Sequence, residues 1–120
     1  MRISFDFDNC LSNKECIVNL FNILRNSNNE VYILTSRNPI FENKPLIDFI
    51  TKHKFNRNNV ICFIDEKWKI IKYFNIDLHF DDDFIEIDLI NRKLGNKYNK
   101  PGVLVNADSS WLSYKKGKKI

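Results

Sequence analysis

Short apolar runs alternate with segments of helical periodicity along almost the whole chain, and this rhythm constrains the fold more than any other feature. We predict strands at residues 3–7, 31–35, 60–64, 78–80 and 103–105, and helices in the four intervening segments. Strands that alternate with helices form a parallel sheet with right-handed crossovers. A chain of 120 residues suffices for one such domain. The pattern therefore predicts a single α/β domain, a Rossmann-like sandwich of three layers.

Local features of the sequence indicate where elements begin and end. Ser12 is followed three residues later by Glu15, a spacing typical of a capping box, so we expect the first helix to begin at Ser12. Pro45 suits the first turn of the second helix. We expect Trp111 and Leu112 to anchor the end of the domain, before a basic tail.

The segment 84–94 is compatible with either a strand or a helix. Apolar residues alternate from Ile85 to Leu89, as in a half-buried strand. However, the basic residues before Gly95 are typical of a helix end. The strand–helix rhythm of the chain also favours a helix, and we predict one here.

The formal net charge of +4 favours anionic partners, in part through lysines 115, 116, 118 and 119. A solvated lysine surface explains this charge equally well. The excess is also weaker than that of a dedicated nucleic-acid-binding module. Charge alone therefore does not identify a partner.

The three cysteines, Cys10, Cys16 and Cys62, lack the spacing of a zinc site or a disulfide framework. We interpret them as reduced core or near-site thiols in a reducing compartment. The N-terminus lacks the apolar region of a secretory signal. No apolar run approaches the ~18 residues that span a bilayer. We therefore expect a cytoplasmic protein with no membrane partner.

Asp6 and Asp8 lie in and after the first apolar run, and residues two apart on a strand point the same way. Two neighbouring carboxylates in a largely buried strand are costly unless a cation neutralises them. A hard divalent ion with oxygen ligands is the natural partner. The flanking apolar residues argue against a simple solvated turn. The pair therefore predicts a metal site.

Further polar residues follow the other strands. Because ligands of parallel α/β sheets bind at the carboxyl ends of the strands, we expect these residues to converge on one edge. Asp81 and Asp82 lie closest to the strand end and could reach the same cation, whereas for Asp83 the role of a cap for the following helix is a sufficient explanation. Thr35, Ser36, Arg37 and Asp65 follow the second and third strands, and each is individually compatible with an ordinary strand end.

Lys67 is the most informative single residue. It lies in the first turn of the third helix, and Ile70, Ile71 and Phe74 follow it at helical spacing. Lys67 therefore belongs to the sheet-facing side, and the helix begins at the carboxyl edge of the sheet. We predict that its ammonium group points into the site.

Four motifs in the sequence resemble those of the haloacid dehalogenase superfamily of phosphohydrolases. They are ISFDFDNCL, with its DxD pair; VYILTSRN, a strand ending in threonine; DEKWKIIKYF, a lysine that opens a helix; and IDLHFDDD, a strand ending in paired aspartates. The motifs occur in the family's order and span residues 1–83. The resemblance implies a five-stranded parallel sheet in the order 5-4-1-2-3, flanked by helices.

The resemblance also implies roles for individual residues. Asp6 would attack phosphorus and become an aspartyl-phosphate, and Asp8 would act as general acid and then as general base. Mg²⁺ would be held by the Asp6 carboxylate, the Asp8 backbone carbonyl and Asp81 or Asp82. The phosphoryl oxygens would be bound by the hydroxyl of Thr35, with Ser36 beside it, and by Lys67.

Two departures from the family pattern are present. Asn9 and Cys10 replace the more usual glycine and threonine or valine after the second aspartate. The connection at 8–12 is too short for an inserted cap domain, and the stretch 35–67 is filled by one predicted helix and one predicted strand. We therefore expect a capless Mg²⁺-dependent phosphatase with an open site. Capless members of the family often act on exposed phosphates of large substrates, including nucleic-acid ends, and some act on small metabolites. Together with the positive net charge, the resemblance makes a nucleotide or a nucleic-acid end phosphate the expected substrate.

Three other functions fit parts of the pattern. A receiver-like or degenerate, non-catalytic phosphate-binding module would also gather aspartates, a hydroxyl and a lysine. In receiver domains, however, the phosphorylated aspartate lies on a middle strand, where Asp65 is the only candidate in this chain. A sugar-nucleotide transferase would need a longer chain.

We expect His79 to be a strand residue with a local hydrogen bond, and His53 to lie at a helix C-terminus, where positive charge is favourable.

Overall fold

All five strands and all four helices that the sequence predicts are present in the computed structural model, which describes residues 1–37, 43–63 and 65–105. Ile64, Trp111 and Leu112 lie outside the described residues. The elements are β1 (Arg2–Asp6), α1 (Glu15–Arg25), β2 (Glu30–Thr35), α2 (Lys44–Lys52), β3 (Val60–Cys62), α3 (Lys67–Tyr73), β4 (Leu78–Asp81), α4 (Phe84–Leu94) and β5 (Gly102–Leu104).

The five strands form one sheet in the order β3-β2-β1-β4-β5, and every neighbouring pair is parallel. Read from the opposite edge, this is the expected order 5-4-1-2-3. The central strand β1 pairs Ser4 with Tyr32 of β2 and with His79 of β4. The carboxyl ends of β1 and β4, at Asp6 and Asp81, therefore lie side by side.

The helices cover both faces of the sheet, which confirms the three-layer sandwich. On the first face, α1 and α2 pack against alternate residues of β1 and β2, with Phe5 and Phe21 in edge-to-face contact. On the second face, α3 and α4 pack against the intervening residues, among them Leu34. Burial of each such side chain contributes about 1.5–3 kcal/mol, so the two cores hold the sheet between the helices.

The first helix begins later than predicted, because an extra turn precedes it. Residues Phe7–Leu11 form a turn that the Ser12 N–H closes by donating to the Phe7 carbonyl, and we call it the π-helical turn. Asp8 and Asn9 have non-helical backbone angles within it, and Asn9 has a φ of 53°. The Ser12 hydroxyl accepts a hydrogen bond from the Asn9 N–H, so it shapes this turn and does not cap the helix. The predicted capping box is therefore wrong, and α1 begins at Glu15.

The other predictions about element ends mostly hold. Pro45 lies in the first turn of α2. Asp83 caps α4 by accepting hydrogen bonds from the N–H groups of Ile85 and Glu86, so the segment 84–94 is a helix as predicted. The apolar run at 60–64 predicts a buried strand, and this is wrong, because β3 lies at the edge of the sheet and Cys62 is exposed.

No helix within the described ranges is long and apolar enough to cross a bilayer.

Candidate active site

The site is built around the point where β1 ends. The strand brings Asp6 to the carboxyl edge on the α3–α4 face, and the π-helical turn then carries the chain away from the sheet. The exposed fraction of the side chain is 14% for Asp6 and 42% for Asp8. The two carboxylates of the DxD pair therefore occupy different environments, one nearly enclosed and one open to solvent.

The neighbouring strand β4 brings two further carboxylates to the same edge. Asp81 is fully buried, and Asp82 is partly exposed. One ligand atom from each of Asp6, Asp81 and Asp82 lies within 4.8 Å of the others, and we call these three residues the acidic cluster. The convergence of residues about 75 positions apart, which the sequence predicts, is confirmed.

Among the residues that the structure describes, Lys67 is the cation that contacts the acidic cluster. It is the first residue of α3 and is buried, with 8% of its surface exposed. Its Nζ donates to Asp81 Oδ2 at 2.5 Å and to Asp6 Oδ1 at 3.3 Å. Lys67 thus points into the site, as its position on the sheet-facing side of the helix predicts.

One ammonium group does not balance three carboxylates. Burial raises the pKa of Asp6 to about 7, because desolvation and the nearby charge of Asp81 outweigh the effect of Lys67. Burial and Asp81 also raise the pKa of Asp82. Although burial lowers the pKa of the Lys67 ammonium, the two carboxylates that it contacts raise it further, so Lys67 stays charged. The site therefore carries an excess of negative charge that a cation could neutralise.

Asp81 behaves in the opposite way. Burial opposes its ionisation, but the hydrogen bond from His79, together with the charge and hydrogen bond of Lys67, lowers its pKa to about 2. The backbone N–H of Asp83 donates to its other oxygen, Oδ1, at 3.0 Å. Asp81 is therefore the ionised and best-anchored carboxylate of the acidic cluster.

Behind Asp81 lies a buried polar pair. His79 Nε2 lies 2.9 Å from Asp81 Oδ2, and His79 Nδ1 lies 2.7 Å from the Ser4 hydroxyl. Both residues are fully buried. Burial lowers the pKa of His79, so the ring is neutral. This confirms that His79 is a strand residue with a local hydrogen bond.

The open carboxylate, Asp8, contacts Arg37 rather than the acidic cluster. The guanidinium donates from both Nε and Nη2 to Asp8 Oδ1 at 2.8 Å and lies 5.5 Å from the centre of the Phe7 ring. The Asp8 side chain is thus absent from the acidic cluster, which agrees with a role for its backbone carbonyl, rather than its carboxylate, at a metal.

The two hydroxyl residues after β2 differ in position. Ser36 is exposed and lines the cleft above the acidic cluster. Thr35 is fully buried, and its Oγ1 accepts a hydrogen bond from the Arg37 N–H, which turns the chain at the strand end. Thr35 is not among the cleft-lining residues in the described part of the chain, and its binding of phosphate stays a prediction.

The cleft has a volume of about 420 Å³, and eight of the twelve described residues that line it are acidic. The four acidic lining residues other than Asp8 and the acidic cluster form what we call the rim: Asp65, Glu66 and Asp83, which are exposed, and Glu86, which is half-buried. Asp65 lines the cleft as predicted, but it is exposed and pairs with Lys69 at 3.4 Å. The site is therefore more acidic than the net charge of the chain implies.

The sequence pattern alone assigns no site role to Ser4, His79 and Glu86. Ser4 and His79 each precede a cluster aspartate by two residues, and this spacing on adjacent strands could have indicated that they share its face. Within the described residues, the Oε2 atom of Glu86 is buried without a hydrogen-bond partner. Its position one turn into α4 could have indicated that it faces the cleft.

The histidine and cysteine predictions have mixed outcomes. His53 lies at the C-cap of α2 as expected, but burial lowers its pKa, so positive charge is disfavoured there. The three cysteines are free. Cys10 is buried beside the site, where burial raises the pKa of its thiol, whereas Cys16 and Cys62 are exposed and do not contribute to the core.

The acidic cluster fits a hard divalent cation. Its donors are carboxylate oxygens, which Mg²⁺ prefers, and their excess negative charge would be neutralised by the ion. Burial, and then the nearby charge of Asp81, raise the pKa of Asp6, and a bound cation would favour its ionised form. Oxygen donors and charge alone do not distinguish Mg²⁺ from other hard cations.

Comparison of the chain with protein-family models, with curated proteins and with solved structures gives no match. The resemblance to the haloacid dehalogenase superfamily therefore depends on the four motifs and on the geometry of the site.

Proposed function

We propose that the protein is a Mg²⁺-dependent phosphomonoesterase of the capless haloacid dehalogenase type. The observation that carries this proposal is the convergence of Asp6, Asp81, Asp82 and Lys67 at one sheet edge, beside an open cleft. A nucleophilic carboxylate, a set of oxygen ligands and a fixed ammonium group are the parts that phosphoryl transfer through an aspartyl-phosphate needs.

In the first step, an ionised Asp6 oxygen attacks phosphorus, and the bond from phosphorus to the leaving oxygen breaks. Asp8 gives its proton to that oxygen, so the alcohol leaves neutral and Asp6 carries the phosphoryl group. Lys67 donates hydrogen bonds to the phosphoryl oxygens as negative charge develops on them. Mg²⁺ bound by the acidic cluster would supply charge neutralisation between the anionic carboxylate and the anionic phosphate.

In the second step, Asp8 accepts a proton from water as the water oxygen attacks the phosphorus of the aspartyl-phosphate. The bond between phosphorus and the Asp6 oxygen breaks, which releases inorganic phosphate and restores the carboxylate. Asp8 ends protonated, ready for the next cycle. Its partial exposure suits this work, because the group must meet both solvent and substrate.

The ion pair with Arg37 must open for Asp8 to hold a proton. A phosphate entering the cleft offers the guanidinium a second anionic partner, and Arg–phosphate pairs are strong. Exchange of Arg37 from Asp8 to substrate would free Asp8 as the acid. The proposal therefore makes Arg37 a substrate-binding residue as well as Ser36.

The acidic cleft bears on the substrate. The net charge of +4 favours nucleotides and nucleic-acid ends as partners, but eight acidic residues line the site itself. Repulsion from the rim increases with the number of phosphates near the reacting one. Of the two substrate classes, we therefore favour a nucleotide-sized phosphomonoester over the end of a polynucleotide. The free thiols agree with a cytoplasmic location.

The decisive experiment measures turnover of a generic aryl phosphate and of mononucleotides, with Mg²⁺ and with a chelator. We expect turnover that chelation abolishes and that Asp6→Asn lowers by at least about 10³-fold. Asp65→Asn, at the rim, is the matched control and should retain turnover.

Acid-quenched labelling with a phosphoryl donor separates the enzyme from a receiver-like module. Transient labelling of wild-type protein with continued release of phosphate supports the phosphatase. Stable labelling without turnover would support the receiver instead, and turnover unaffected by Asp6→Asn would overturn the proposed nucleophile.

A further inference from the structure

Asp81 uses most of its hydrogen-bonding capacity within the protein. Its Oδ2 accepts from both Lys67 Nζ and His79 Nε2, and its Oδ1 accepts from the Asp83 N–H. A carboxylate has about four lone-pair sites, so one remains, on Oδ1. That remaining site is the one available to a cation, provided that the three donors hold the carboxylate in this orientation.

The donor from His79 depends in turn on Ser4. Because Asp81 is an acceptor, Nε2 of the neutral imidazole must carry the hydrogen, and Nδ1 must then accept from the Ser4 hydroxyl. Ser4 and His79 are direct neighbours in the β1–β4 ladder, and both are fully buried. Ser4 thus selects the imidazole tautomer that can hold Asp81.

We propose that Ser4 and His79 are positioning residues for the cation site, acting through Asp81. This inference rests on the proposed function, since it concerns the ion that the acidic cluster would hold. Residues that hydrogen-bond to a metal-ligating carboxylate hold that carboxylate in its orientation. Loss of such a residue typically weakens metal binding by about 10–100-fold. A purely structural pair would affect folding stability without changing the affinity of the folded protein for the ion.

The test is calorimetric titration of the metal-free protein with Mg²⁺ alone. We expect His79→Leu, which lacks the donor, to weaken Mg²⁺ binding about 10–100-fold. His79→Gln places an amide N–H near the position of Nε2 and should recover most of the affinity. His53→Leu, at the remote end of α2, is the matched control and should leave the affinity unchanged.

Ser4→Ala gives the sharper result, because it acts only through the imidazole. We expect Ser4→Ala to lower the Mg²⁺ affinity about 3–10-fold in the wild-type background and to cause no further loss in the His79→Leu background. The two substitutions would then be non-additive in a double-mutant cycle. If His79→Leu does not fold, Ser4→Ala and His79→Gln still decide the question. Equal Mg²⁺ affinities for wild type and Ser4→Ala would overturn the positioning role alone. A wild-type protein that takes up no Mg²⁺ would instead overturn the proposed function itself.

Discussion

On β1 and β4, at the centre of the sheet, the two faces are made from alternate residues of the same strands, yet their chemistry is opposite. Toward α1 and α2, Phe5 of β1 stacks on Phe80 of β4 at 4.9 Å and meets Phe21 of α1 at 5.4 Å. Toward α3 and α4, the intervening positions of the same two strands carry Ser4 and Asp6 on β1, and a histidine and an aspartate on β4.

This difference indicates that one face of the two strands mainly stabilises the fold, whereas the other carries the groups of the candidate active site. Aromatic burial on the first face contributes favourable free energy with no charge to neutralise. The second face buries carboxylates, which is costly unless partners compensate, and such cost is typical of functional sites. One strand of five residues therefore serves both purposes because its side chains alternate between faces.

If this separation is correct, substitutions on the second face should affect activity most. We expect Lys67→Met to lower turnover by about 10²–10³-fold, because a donor to the phosphoryl oxygens and the balancing charge are both lost. Steady-state kinetics with saturating Mg²⁺ measures the effect. Lys69→Met, two residues along the same helix and exposed, is the control. Equal activities of the two variants would contradict the assignment of Lys67.

On the first face, we expect the opposite result. Phe21→Ala should lower the free energy of unfolding by about 3–5 kcal/mol, because it removes the ring that packs on Phe5 and leaves a cavity. Urea denaturation measures this change. The Mg²⁺ affinity of the folded fraction should stay within about twofold of wild type, since the ring lies on the other side of the sheet. A parallel loss of affinity would show that the faces are coupled.

The pH dependence of stability should reveal the charge of the second face. The folded protein holds the Asp6 proton up to a pKa of about 7, against an ordinary value of 3.8. Between these values the folded state binds more protons than the unfolded state, so stability without metal falls as pH rises from about 4 to about 7. The Asp6 contribution is at most about 4 kcal/mol. Asp81, with its lowered pKa, acts in the opposite direction only below pH ~4.

Urea denaturation of the metal-free protein across this range measures the effect. Asp6→Asn should remove the Asp6 part of the decline, and saturating Mg²⁺ should reduce the decline in wild type, because the ion favours the ionised carboxylate. A decline of the same size in Asp6→Asn would show that the Asp6 carboxyl is not its cause.

The smallest effect is expected between the faces, in the π-helical turn. Asn9 has a φ of 53°, which glycine adopts freely and β-branched residues avoid. Asn9→Val should lower the free energy of unfolding by about 1–2 kcal/mol, and Asn9→Gly should lower it by less than about 0.5 kcal/mol. Thermal denaturation of the two variants measures the difference. Equal losses would show that backbone strain is not what selects Asn9.

The sequence predicts most of this architecture because its strand and helix periods are clear. The β-α rhythm yields the layers and the convergence of strand ends, and the helical spacing of Lys67 with Ile71 yields its direction. These features depend on backbone geometry and on apolar spacing, which are local and regular.

The rest depends on tertiary contacts that have no local pattern. The turn after Asp6 moves the start of α1, since the Ser12 hydroxyl bonds to Asn9 instead of capping. The Asp8–Arg37 pair joins two loops across the sheet edge, and only the folded chain brings them together. The acidity of the rim likewise depends on which of many charged side chains meet in space.

The direct pairing of Ser4 with His79 also bears on how the strands find their alignment during folding. If β1 slipped by one residue against β4, Asp6 would turn into the layer of aromatic rings. A buried carboxylate without a partner costs several kcal/mol there. Misaligned intermediates are thus strongly disfavoured. The polar groups that we assign to ion binding therefore also fix the register of β1 against β4.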